Sequence, residues 1–180
     1  MTTTTTPSQL EHIDLVANDS GVGIAQIFAV HHPTRLRSLL LTNGDVHDNW
    51  LPAEFAGFTD RVTAGELPGI IQRFDTDHDA DITPYIANPA QMQDLEHFIL
   101  AFDPAQTIRI QDRLEQLTAP TAIVWGTGDI FFDERWSHWL ADTIPGTRSR
   151  TSLPDARLLL PEERPQELNR EILRPWELHQ

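Results

Sequence analysis

Three short apolar runs, His12 to Asn18, Arg37 to Asn43 and Pro120 to Gly126, are bounded by turn residues. That is the pattern of buried strands in a parallel sheet, and the second is apolar enough to be buried on both faces. A fourth run, Thr147 to Leu153, is weakly apolar and reads as an edge strand. Between the first two, Ile24, Ile27, Phe28 and Val30 recur at helical spacing, so a helix is expected there with these residues toward the sheet. It ends near His31-His32-Pro33. From about Leu51 to Leu117 the pattern is helical but broken by Pro52, Pro68, Pro84, Pro89 and Pro104. A helix from about Glu134 to Thr143 carries Trp136, Trp139 and Leu140 on one face, and Ile144-Pro145-Gly146 breaks it. A last helix runs from Glu162 to Leu173, with Pro161 near its start. Strands alternating with helices predict an α/β fold with a mostly parallel sheet of about four strands and right-handed connections.

In such a sheet ligands bind beyond the carboxyl ends of the strands. Asp19 closes the first strand. Asp45, His47, Asp48, Asn49 and Trp50 follow the second, and Gly126-Thr127-Gly128-Asp129 follows the third. Around Asp19 the spacing is specific. A reactive side chain on a sharp strand-to-helix turn needs small neighbours two residues to either side, and Ala17 and Gly21 hold those positions. Gly23 then lets the helix lie close to its strand. Asp19 is therefore the candidate nucleophile, and Ser20 contributes the next backbone N–H. His31 and His32 suit the negative end of a helix dipole better than a metal site, because adjacent helix residues do not face one ligand. Asp75-Thr76-Asp77-His78-Asp79-Ala80-Asp81 lacks the glycine and glutamate of a calcium loop and reads as a solvated acidic loop.

Composition narrows the partners. A formal charge of −14 and a pI near 4.7 exclude the basic footprint that nucleic acids and anionic membranes require. Without cysteine there is no disulfide frame, thiolate metal site or cysteine nucleophile. No metal or cofactor is expected, and the expected partner is a small-molecule substrate. No signal-like stretch is visible near Met1, and no apolar run approaches membrane-spanning length, so a cytoplasmic location is expected.

At the turn around Asp19 the chain resembles the α/β-hydrolase family, in its aspartate-nucleophile branch of haloalkane dehalogenases and epoxide hydrolases. The segment ending in Asp129 resembles that family's strand-plus-acid, whose aspartate orients a catalytic histidine. The resemblance runs from about Glu11 to Leu173 and implies three parts. Residues 1–10, Thr-rich, form a disordered leader; 11–50 and 118–180 form the core; 51–117 form a helical lid. It also implies truncation at the N-terminus, because the family has further strands before this turn.

The resemblance breaks at one position. Counting back from Glu163-Arg164-Pro165, the family's histidine falls on Leu158, and none of the eight histidines is there. His47, after the second strand, is the candidate surrogate base. Dehalogenases of this branch carry tryptophan directly after the nucleophile, where this chain has Ser20. Epoxide hydrolases use two lid tyrosines, and this chain has only Tyr85. The expectation is a hydrolase of a small organic molecule, of ester, haloalkane or epoxide type, or else a non-catalytic remnant of one. The first strand would also present an unprotected edge, from which a two-fold homodimer is expected.

Overall fold

The computed structural model describes residues 11–50, 52, 55, 57–72 and 88–177, with side chains to residue 173. Residues 1–10, the acidic stretch 75–81 and Tyr85 lie outside them. Strand β1 (Ile13–Asp19) leads into helix α1 (Ser20–His31), and a single 3-10 turn connects α1 to β2 (Leu36–Gly44). The short helices α2 (Phe58–Thr63), α3 (Leu67–Ile71), α4 (Pro89–Leu100), α5 (Pro104–Ile108) and α6 (Gln111–Leu114) follow. Then come β3 (Thr121–Gly126), α7 (Arg135–Thr143), β4 (Thr147–Leu153), α8 (Leu160–Glu163) and α9 (Pro165–Glu177). The four strands form one parallel sheet in the order β1-β2-β3-β4, as the apolar runs predict.

Every residue of β3 is buried, and β2 is buried from Leu39 onward. The pleat divides their side chains. Ala17, Leu39, Leu41, Ile123 and Trp125 join residues of α1, α6 and α7 in the larger core. Leu40, Ala122 and Val124 face the other way, onto Leu160 and Leu168 of α8 and α9. Each buried Leu, Ile or Val among these contributes roughly 1.5–3 kcal/mol relative to exposure. The four-strand core is therefore anchored at β2 and β3, which place the edge residues described below.

Helix α1 differs from the periodicity reading. Its buried positions are Val22, Gly23, Ala25, Gln26 and Ala29, whereas Ile24 is 45% exposed and Ile27, Phe28 and Val30 are only partly covered. The helix lies close to its strands, and small residues fill a close contact. The large residues flank it instead. Ile24 and Phe28 join Ile13, Leu15 and Ala17 in lining an open groove of about 420 Å³ beside β1.

Pro68, Pro89 and Pro104 start helices rather than break them. Pro89 and Pro104 follow Asn88 and Asp103, whose side chains accept from Ala90 N–H (3.0 Å) and Ala105 N–H (2.9 Å). The missing proline N–H is one that a first turn leaves unpaired in any case. Val62, Leu67, Ile71, Met92 and Ile99 give α2, α3 and α4 a small core of their own. Phe98 packs on Phe102, and Phe102 on Trp50, tying this layer to the residues after β2.

Candidate active site

Asp19 ends β1 with φ 56° and ψ −134°, a conformation that a non-glycine residue holds only where its surroundings enforce it. β2 passes close beside this turn. Gly44 pairs with Asp19, and a Cβ on Gly44 would lie 2.2 Å from the Asp19 carbonyl oxygen and 2.7 Å from Val22 Cβ. At Gly21 the expected crowding is mild, since a Cβ there would meet Ala17 Cβ at 3.9 Å, an ordinary contact. Gly23 makes room for the residues after β2 rather than for its own strand: a Cβ would lie 3.3 Å from both Asp45 and Trp50. The small residues thus serve the junction between the first and second strand ends.

The Asp19 carboxylate accepts a hydrogen bond from the Ser20 N–H, the first donor of α1. Burial raises its pKa above the ordinary carboxyl range; the Ser20 bond opposes the rise, and the negative charge of Asp129 adds to it. The two carboxylates predicted from strand ends therefore act on each other across one sheet edge. Asp129 is itself raised by burial, against hydrogen bonds that favour its charged form. Its Oδ1 accepts from Phe131 N–H (2.8 Å) and Phe132 N–H (3.3 Å), and its Oδ2 from Asn43 Nδ2 (2.9 Å). Asn43 also donates to Gly126 O (3.0 Å) and accepts from Gly126 N–H (2.6 Å), which locks the ends of β2 and β3 together under Asp129.

Asn18, beside the elbow, donates to Thr42 Oγ1 (2.7 Å), to Leu158 O (2.8 Å) and to Asn43 O (3.3 Å). Leu158 thus lies next to the elbow, bonded through its backbone, with its side chain packed on the larger core.

Asp45 is a further carboxyl at this edge. It is 1% exposed. Its N–H bonds Asp19 O (3.3 Å), its carbonyl accepts from the buried Gln26 Nε2 (2.8 Å), and its carboxyl accepts from the Ser20 hydroxyl. Its Oδ1 has no hydrogen-bond partner. Burial first, and the charge of Asp19 second, push its pKa up to about 8, against the Ser20 bond. Among the described residues no group of three or more His, Asp or Glu side chains is disposed to hold a metal ion.

His47 sits two residues on, also at positive φ. Its ring lies against Trp139 (centroids 5.0 Å), with Nε2 3.2 Å from Gln111 Oε1 and Nδ1 3.4 Å from Asp48 Oδ1. Both ring nitrogens thus have partners outside the group of Asp19, Asp45 and Asp129. The sequence reading noted Asp45 only as one of the residues after the second strand and gave no role to Asn18, Asn43 or Gln26. The signal for Asp45 was present, because it follows an apolar strand just as Asp19 and Asp129 do.

No protein-family model and no curated protein matches the chain. Solved structures do. An ancestral haloalkane dehalogenase, AncHLD2, superposes with a TM-score of 0.75 at 15% identity, over 95% of this chain and 70% of its own. The 2-hydroxy-6-oxo-6-phenylhexa-2,4-dienoate hydrolase of Rhodococcus sp. strain RHA1 gives 0.69 at 16%, over 93% and 65%. A thermophilic esterase from Thermogutta terrifontis gives 0.61 at 21%, over 94% and 65%. The chain thus spans about two thirds of the length of these neighbours. No described helix is long and apolar enough to cross a membrane. The parallel sheet, the strained turn at its edge and these superpositions together identify the fold as that of the α/β hydrolases.

Proposed function

We propose that the chain is a hydrolase of a small organic molecule, of ester, haloalkane or epoxide type. Asp19 is the nucleophile, the Ser20 N–H faces the charge that develops on its carbonyl oxygen, and Asp129 is the acid of the site. The observation that supports this most is the backbone of Asp19. Its strain costs about 1–3 kcal/mol, and it brings a partly desolvated carboxylate to a sheet edge where a substrate can reach it. On an alkyl substrate an Asp19 oxygen bonds to the electrophilic carbon while the bond to the leaving group breaks, its electron pair departing with that group. Water then cleaves the resulting ester. The segment 51–117 serves as a lid over this edge.

The second reading, a remnant that keeps the fold without turnover, is favoured by Leu158 standing beside Asn18 where the resemblance expects a histidine. One experiment tests the nucleophile. After incubation with n-butyl bromide or styrene oxide, intact mass and peptide mapping are expected to find one ester on Asp19. Asp19→Asn, which keeps the shape and removes the charge, is expected to carry none. A wild-type chain left unlabelled by both reagents favours the remnant.

The same reading includes self-association through β1. Among the described residues β1 is a sheet edge. Asp14, one of its two aspartates with Asp19, is held by Arg37 and by Ser38 Oγ (2.6 Å). A second copy paired antiparallel about a two-fold axis sets both α1 helices on one face, with Ile24 and Phe28 of each covering the groove between them. Sedimentation at micromolar concentration is expected to give a dimer. Val16→Lys, at a position 44% exposed, is expected to give a monomer. A wild-type monomer overturns this part.

A further inference from the structure

We infer that Asp45 is the general base of this site, taking a proton from the water that frees the product from Asp19. The inference rests on the reading of Asp19 as nucleophile and assigns the task that the resemblance gives to a histidine at position 158.

Geometry carries it. Asp45 is the first residue beyond β2, fixed to the elbow by its own N–H on Asp19 O and by Gln26 on its carbonyl. Its carboxyl meets the hydroxyl of Ser20, the residue whose N–H serves Asp19. One carboxyl oxygen, Oδ1, is left open in a buried position that would otherwise be costly to leave unpaired. Gly23 lets α1 pack closely on this residue, since a Cβ there would crowd Asp45 Cβ at 3.3 Å. A buried, braced side chain with one free oxygen at the reacting centre is suited to hold a water.

The electrostatics couple this base to the first step. In the resting site Asp19 is charged, and its charge is one of the causes holding the proton on Asp45 near neutral pH. The charged group acting on Asp19 in turn is Asp129, from the loop after β3. When Asp19 becomes an ester its charge is gone. The Asp45 pKa then falls, and the proton leaves to solvent as the leaving group departs. A carboxylate thus forms beside the ester at the stage when a base is needed. Water oxygen attacks Cγ of Asp19, one water proton passes to Asp45, and the carbonyl electron pair moves to the oxygen facing the Ser20 N–H. That pair returns and the bond from Cγ to the alkyl oxygen breaks. The alkoxide takes the proton from Asp45. Asp19, now a carboxylic acid, passes its own proton to Asp45 and restores the resting pair.

The test compares wild type with Asp45→Asn and Asp45→Glu, using n-butyl bromide or styrene oxide and following adduct formation and clearance by intact mass across pH. Wild type is expected to clear its Asp19 ester faster as pH rises, with a midpoint below 8. Asp45→Asn is expected to form the ester and retain it, clearing roughly 10²–10⁴-fold more slowly and without that pH dependence. Asp45→Glu is expected to recover part of the rate. Clearance equal in wild type and Asp45→Asn, or esters that persist equally in both, overturns Asp45 as base while Asp19 stands as nucleophile. No ester in either protein overturns the nucleophile reading and this inference with it.

Discussion

In a chain that carries Asp45→Asn, Leu158→His is expected to raise the clearance of an Asp19 ester by roughly 10²–10⁴-fold, the usual worth of a placed general base. Leu158 is already positioned: its carbonyl accepts from Asn18, the neighbour of Asp19. Asp129 stands at the same sheet edge, its carboxyl oriented by Asn43, Phe131 and Phe132. An imidazole at 158 gains a carboxylate that favours its protonated form after it takes a proton from water. The substitution removes an apolar side chain from the rim of the larger core, at an expected cost of about 1–3 kcal/mol in stability. Stopped-flow or mass-resolved clearance at neutral pH checks the rate. Combining Leu158→His with Asp45→Asn is expected to restore clearance that Asp45→Asn alone has lost. A well-folded double variant that still retains its ester would show that position 158 does not reach the reacting carbonyl.

The second large effect is on stability. In an unfolded chain the Asp45 carboxyl titrates at about 3.9, whereas in the fold its pKa is about 8. Between those values the unfolded state has given up a proton that the folded state keeps. Rising pH therefore favours unfolding throughout that window, and the loss levels off above about 8. At about 1.4 kcal/mol per pH unit the ceiling is on the order of 5 kcal/mol. Asp45→Asn removes this group's contribution while keeping its shape. Urea unfolding is expected to show the variant and wild type close together near pH 4. By pH 9 the variant should be the more stable by several kcal/mol. Asp19 and Asp129, both raised chiefly by burial, add slope of the same sign at lower pH in both proteins. Parallel stability curves for the two proteins would mean that Asp45 is ionised in the fold at neutral pH.

The parts of this molecule that the sequence made legible are those whose burial is uniform. β2 and β3 are covered on both faces, so their apolar runs stand out against the polar turns beside them. The turn after β1 was legible from Ala17 and Gly21 about Asp19, although a Cβ on Gly21 would make only an ordinary 3.9 Å contact with Ala17. Even so, the tightest approach to Asp19 is that of Gly44, from a different strand, where no side chain fits, and spacing along one segment cannot reveal it. Helix α1 misled because periodicity counts large apolar residues, while the close contact selected Ala25, Ala29 and Gln26. His47 stands out in the sequence because histidine is the usual base at neutral pH, whereas Asp45, one aspartate after a strand, does not. Only the fold reveals that one of these two side chains is buried against Ser20 and the other is engaged by Gln111, Asp48 and Trp139.

The strand order follows the chain, and this has a consequence for biosynthesis. Among the described residues no later strand has to slip between two earlier ones, so these strands can pair in the order in which they leave the ribosome. The helical segment separates β2 from β3, and at roughly 5–20 residues per second β3 trails by several seconds. During that wait the nascent chain holds a two-stranded parallel unit, too small to be stable alone. Leu39, Leu40 and Leu41 lie on it without the strand that later covers them. When β3 docks it closes the far side, and the β1 side is unchanged.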